Sequence, residues 1–155
     1  MNRNRTVLFA FILFLLSVLA TSVSADDAVY DDSSFYVSGF QFPEYIYDGS
    51  RDTYSTVFGT GTVTVNRVGG IDSIYVLHDT PPAEWYITDP TDGKTVPCAV
   101  NGFLHEFIDI DELFGKSPET LVLTFADGSS VCDIYAFSDG DLPDFVQKWK
   151  KKFRH

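Results

Sequence analysis

The chain has 155 residues, of which 22 are acidic and 11 are lysine or arginine, and its formal net charge at pH 7 is -11. A protein that binds nucleic acid through the phosphates needs a basic surface, so this charge argues against a nucleic-acid partner. The length and the 45% content of hydrophobic residues suit one domain with a sizeable core.

The N-terminus has the three-part pattern of a secretory signal peptide. Two arginines precede an apolar run from Val7 to Leu19, and the small residues Val23, Ser24 and Ala25 follow. The apolar run is well short of the roughly 20 residues that a transmembrane helix needs. We therefore expect cleavage after Ala25, a secreted mature chain without a transmembrane span, and a flexible acidic leader over residues 26–34.

Cys98 and Cys132 are the two cysteines of the sequence. In a secreted protein an even number of cysteines favours a disulfide. A bridge between these two would stabilise the fold by roughly 3 to 4 kcal/mol through the entropy of the unfolded chain. The alternative is two buried free thiols. Zinc binding is not expected, because neither cysteine has a second ligand two to four residues away.

Short segments that are rich in β-branched or alternating apolar residues make up the body of the chain. Turn-forming residues separate these segments, and this pattern predicts an antiparallel β-sandwich or barrel, an all-β fold. Residues 109–117 are expected to form one helical turn. The predicted strands lie within residues 60–68, 69–79, 84–88, 103–110, 120–125 and 131–137.

Residues 45–56, YIYDGSRDTYST, resemble the "DG…T" signature near the start of discoidin-like, galactose-binding-type β-sandwich domains. This group includes many bacterial carbohydrate-binding modules, and the resemblance implies an antiparallel β-sandwich or jelly roll over residues 35–140. Many of its members hold a structural calcium ion beside that loop, and the resemblance implies that the matching ligands here are Asp48, Thr53 and Asp133. Calcium takes six to eight oxygens, so main-chain carbonyls would have to complete the site.

Two further segments, FSDGDLPDFVQKW (137–149) and GFLHEFIDI (102–110), look like parts of the N-terminal accessory domain of secreted bacterial deacetylases of the PIG-L type. In that family the first segment leads to a zinc-dependent catalytic domain. The resemblance implies that residues 141–155 are a linker-like basic tail, which could contact a partner domain or an anionic surface. The family's HPDDE-like catalytic motif has no counterpart in this sequence.

Histidine side chains in general can take part in acid–base catalysis near neutral pH, and His78 and His105 are each followed by one acid. A histidine acts as a catalyst only together with several positioned partners, which the sequence does not indicate. We therefore expect both histidines to be structural and the chain not to be an enzyme.

Aromatic side chains in loops can stack on the apolar faces of sugars. The candidate ligand-binding residues are Tyr54, Trp85 and Tyr86, although each ring could instead belong to the core, and strand alternation should turn one of the last two inward. The predicted function is a secreted, non-catalytic module that binds carbohydrate or another cell-envelope component. The alternative is a structural remnant or truncated accessory domain of a PIG-L type deacetylase.

Overall fold

A computed structural model of the protein describes residues 33–81, 83–98 and 104–138. The predicted signal peptide and the whole of the predicted tail lie outside these ranges. The predicted leader does so too, except for Ser33 and Ser34, which already pair with β2. The strands are β1 (Ser33–Phe40), β2 (Ser55–Arg67), β3 (Ser73–His78), β4 (Trp85–Thr88), β5 (Thr95–Cys98), β6 (His105–Asp109), β7 (Thr120–Phe125) and β8 (Ser130–Phe137); a 3-10 helix spans Pro43–Tyr47, and helix α1 spans Ile110–Phe114.

The strands form two antiparallel layers that share one strand. Sheet A has the order β5-β4-β7-β2-β1, and sheet B has the order β2-β8-β3-β6. The first two residues of the 13-residue strand β2 pair with β8, and residues 61–67 pair with β7, β1 or both. The predicted all-β sandwich is therefore confirmed.

The core lies between the two sheets and follows the two-residue period of the strands. In β7, for example, Leu121, Leu123 and Phe125 are buried, whereas the residues between them are only partly covered. The indole of Trp85 stacks on Phe125 with ring centroids 5.1 Å apart. Sheet B is also buried on its other face, by a second apolar cluster that contains Tyr75, Leu77, Cys132, Tyr135 and Phe137.

All six predicted strand segments contain a strand, and the predicted helical turn is α1. The side chain of Asp109 accepts a hydrogen bond from the amide of Glu112 at 3.0 Å and so caps this helix, while Gly115 ends it with a φ of 71°. Strands β1 and β5 were not predicted. β1 carries serine and glycine, and β5 carries Pro97, which is tolerated because β5 is an edge strand.

The disulfide prediction is wrong, because Cys98 and Cys132 are both free and buried. Cys98 ends the edge strand β5 and packs in the core between the sheets. Cys132 lies in β8 and packs in the cluster on the opposite face of sheet B. The alternative of two buried free thiols describes the structure.

Both thiols are poor nucleophiles for the same reason. Burial, followed by the nearby Glu106 carboxylate, raises the pKa of Cys98 to about 12. Burial is also the main cause that raises the pKa of Cys132 to about 11. At neutral pH the fraction of thiolate, the reactive form, is therefore very small at either position.

We expect the native protein to resist alkylation at pH 7.5 and the denatured protein to take up two equivalents of iodoacetamide without prior reduction. Mass spectrometry before and after denaturation measures both quantities. Denatured protein that takes up the label only after reduction would show that a disulfide forms in solution.

Candidate functional site

A buried polar cluster joins the two sheets at the end of the sandwich where β3 finishes and β4 begins, here called the β3–β4 end. The Oε2 atom of Glu106 in β6 accepts a hydrogen bond from the indole N–H of Trp85 at 2.7 Å. The same oxygen lies 2.7 Å from Nε2 of His78. All three side chains are buried. Glu106 therefore links β4 of sheet A to β3 and β6 of sheet B.

The two histidines lie in different surroundings. His78 is buried in the core, with its ring near those of Trp85 and Phe125. The Nδ1 atom of His105 contacts the hydroxyl of Tyr75 on the outer face of sheet B. Burial lowers the pKa of His105 and raises the pKa of Tyr75 to about 12, so both groups are predominantly neutral near pH 7.

At the β3–β4 end, the start of β2 presents aromatic rings to solvent. Ser55 and Val57 are fully buried, and the alternate side chains face outward. Tyr54 is 51% exposed and Phe58 is 65% exposed, with the partly covered Thr56 between them. We call Tyr54, Thr56 and Phe58 the aromatic strip.

The structure separates the other two predicted ligand-binding residues. Trp85 is 0% exposed, so its ring cannot stack on a ligand at the surface. We therefore remove it from the candidate ligand-binding residues. The reason is the inward pairing of its N–H with Glu106. Tyr86 is the next residue along β4 and lies on the outer face of sheet A.

The outer face of sheet A is built from rows of side chains that the strand register brings side by side. One row runs from Tyr36 through Thr64, Val122 and Thr88 to Thr95. The adjacent row runs from Ser38 through Thr62, Thr124 and Tyr86 to Pro97. All of these residues are exposed or partly exposed. We call these two rows the hydroxyl face.

The three predicted calcium ligands have partners within the fold. The carboxylate of Asp48 accepts a hydrogen bond from the amide of Ser50 at 2.8 Å and one from the hydroxyl of Thr53 at 2.7 Å. Asp133 is fully buried, and its Oδ1 accepts a hydrogen bond from the amide of Ile134. The nearby carboxylates of Asp133 and Asp48 are also minor causes of the raised pKa of the Cys132 thiol, after burial and Asp79. No group of three or more His, Cys, Asp or Glu that could hold a metal ion occurs in residues 33–81, 83–98 and 104–138.

The described residues also contain no helix with the length and apolar character needed to cross a membrane. No protein-family model and no curated protein matches the chain.

Several solved structures are similar to it, including the following two. One is CpGH89CBM32-6 from Clostridium perfringens, a carbohydrate-binding module, with a TM-score of 0.55 and 14% identity over 72% of this chain and 97% of that chain. The other is a pectin-binding carbohydrate-binding module, with a TM-score of 0.44 and 16% identity over 71% of this chain and 93% of that chain. At such low identity the similarity to the first structure shows the fold, an all-β sandwich.

Replacing Glu106 by leucine should destabilise the protein by about 2 to 5 kcal/mol, because two buried donors, Trp85 Nε1 and His78 Nε2, would lose their acceptor. Glu106→Gln keeps an oxygen that can accept and should cost less. Urea unfolding at pH 7 measures both changes, with Glu44→Leu at an exposed position as the matched control. A Glu106→Leu variant as stable as the wild type would show that the cluster does not hold the sheets together.

Proposed function

We propose that this chain is a secreted, non-catalytic binding module for carbohydrate or another cell-envelope component. The observation that carries the proposal is the aromatic strip, in which Tyr54 and Phe58 face solvent on one side of the same chain segment. Large apolar side chains cost solvation free energy when they are exposed, and the ring face is the part of a protein that stacks on a sugar.

The strip is held in place by the residues between its rings. Ser55 and Val57 are anchored in the core, and the hydroxyl of Ser55 accepts a hydrogen bond from the amide of Phe42 at 3.0 Å. The two rings are about 13 Å apart along an extended segment, and the hydroxyl of Thr56 between them can donate and accept hydrogen bonds. A surface that is already ordered loses little conformational entropy when it binds.

The fold supports the same proposal. CpGH89CBM32-6 shares the architecture of this chain and is a carbohydrate-binding module. A β-sandwich alone serves many unrelated functions, so the argument rests on the exposed rings and not on the architecture. The relation to PIG-L type deacetylases stays a prediction, because residues 139–149, which carry most of that resemblance, lie outside the described ranges.

Tyr54→Ala and Phe58→Ala should each weaken binding to a polysaccharide ligand several-fold, since a lost stacking contact is worth about 0.5 to 1.5 kcal/mol. A polysaccharide array, followed by calorimetry on the best ligand, measures the effect. Val68→Ala is the control, because Val68 is an exposed apolar residue in the turn after β2, at the opposite end of that strand.

The melting temperatures of the three variants should stay close to that of the wild type, because all three side chains are exposed. Binding that is unchanged in both aromatic variants would remove the strip from the ligand site. A wild-type protein that binds no polysaccharide on the array would overturn the proposed function.

We further propose that a structural calcium ion binds beside the loop of residues 48–53. Asp48, Thr53 and Asp133 would hold it, together with main-chain carbonyls. These side chains suit calcium because each offers oxygen atoms, the ligands that calcium prefers. The support from the structure is that the Thr53 hydroxyl donates a hydrogen bond to the Asp48 carboxylate, and that the 3-10 helix just before Asp48 packs against β8, the strand that carries Asp133.

Calcium at millimolar concentration should raise the melting temperature of protein that has been treated with a chelator, because an ion that binds only the folded state stabilises it. Asp48→Asn should reduce this shift, and Asp127→Asn, at an exposed acid in the turn between β7 and β8, should leave it intact. Differential scanning fluorimetry with and without calcium gives the answer. A melting temperature that does not respond to calcium in the wild type contradicts the site.

A further inference from the structure

We propose that the hydroxyl face of sheet A is a second binding surface and that its ligand is an uncharged polysaccharide chain lying across the strands. The inference takes the ligand class from the proposed function, but it concerns different residues from the aromatic strip. It rests on three observations: the position of two tyrosines, the hydroxyl groups between them, and the absence of charge from the two rows.

Tyr36 and Tyr86 lie on the same face at well-separated points. Tyr36 is on the edge strand β1 and is 69% exposed. Tyr86 is on β4, three strands away and in the adjacent row. Neighbouring strands are about 4.8 Å apart, so the two tyrosines are separated by roughly 14 Å across the sheet. Two rings at this separation can contact different residues of one polymer, whereas a single small sugar would reach only one of them.

The side chains between the tyrosines are mainly threonines. Thr64 lies beside Tyr36, Thr124 lies beside Tyr86, and Thr62 pairs with Thr124. A hydroxyl group can both donate and accept a hydrogen bond, and a sugar hydroxyl needs both kinds of partner. At the far edge Thr88 and Thr95 are already bonded to each other at 2.9 Å, which orders that side of the face.

The charge of the protein favours an uncharged polymer over an anionic one. The formal net charge of the chain is -11, yet none of the residues in the two rows carries a charge. A carboxylate does lie at the margin, where Glu84 accepts a hydrogen bond from the hydroxyl of Tyr86 and thereby raises the pKa of that tyrosine. An anionic polymer would be repelled by the acidic protein and would find no cation in the rows, whereas an uncharged polymer meets neither obstacle.

Affinity electrophoresis in gels that contain a soluble neutral polysaccharide tests the inference. The probes are a β-glucan, a galactan, a mannan and a xylan, and polygalacturonate serves as the anionic comparison. We expect the wild type to be retarded by at least one neutral polymer and not by polygalacturonate. The retardation should be unaffected by raising sodium chloride from 50 to 500 mM (~tenfold), because exposed ionic contacts are screened by salt whereas stacking is not.

Tyr36→Ala and Tyr86→Ala should each raise the dissociation constant for the neutral polymer roughly 2- to 10-fold, and the double variant should combine both effects. Val68→Ala, at an exposed apolar residue that belongs to neither surface, is the control and should bind like the wild type. Tyr54→Ala is measured beside it, because it alters the aromatic strip and not the hydroxyl face. Melting temperatures verify that the variants are folded.

The outcomes separate this inference from the proposed function. Wild-type affinity in both Tyr36→Ala and Tyr86→Ala, together with a loss in Tyr54→Ala, overturns the hydroxyl face and leaves the aromatic strip as the ligand site. Retardation by polygalacturonate alone, or binding that falls with salt, overturns the neutral class of ligand. If no polymer retards the wild type, both proposals fail.

Discussion

The β3–β4 end of the sandwich depends on one carboxylate. Burying an ionisable group in an apolar core is costly unless every polar atom finds a partner. The Oε2 atom of Glu106 has partners from both sheets, the indole of Trp85 and the imidazole of His78. His78 Nδ1 has no hydrogen-bond partner in the described part of the chain. The cluster therefore leaves one buried nitrogen without a hydrogen bond, while its two hydrogen bonds connect sheet A to sheet B at this end.

The same hydrogen bonds fix the two ends of the connection between β3 and β4. His78 is the last residue of β3, and Trp85 is the first residue of β4, so one oxygen holds both ends of the connection between these strands. β2 has a similar role, since it belongs to both sheets and carries the aromatic strip on its first residues. Surface groups on such a scaffold are positioned before a ligand arrives, which lowers the entropic cost of binding.

The sequence reveals strands by their alternation, and this signal succeeded where a strand lies inside a sheet. β7, with Leu121, Leu123 and Phe125 inward, is the clear example. The signal failed at two edge strands, β1 and β5, although it found the edge strand β6. A strand with only one neighbour can do with less apolar surface, which weakens the alternation. β1 contains Gly39, where a register shift interrupts its pairing with β2. β5 is only four residues long and contains a proline.

Alternation also predicts that one of Trp85 and Tyr86 points inward, but it cannot decide which. The decision comes from Glu106, 21 positions along the chain from Trp85, whose oxygen gives the indole N–H a buried partner. Once Trp85 turns inward, Tyr86 must join the outer face, where the register of four other strands supplies its neighbours. Tyr36 reaches the same face from an edge strand without a clear sequence signal. A surface assembled in this way has no local motif, and only the strand register brings its residues together.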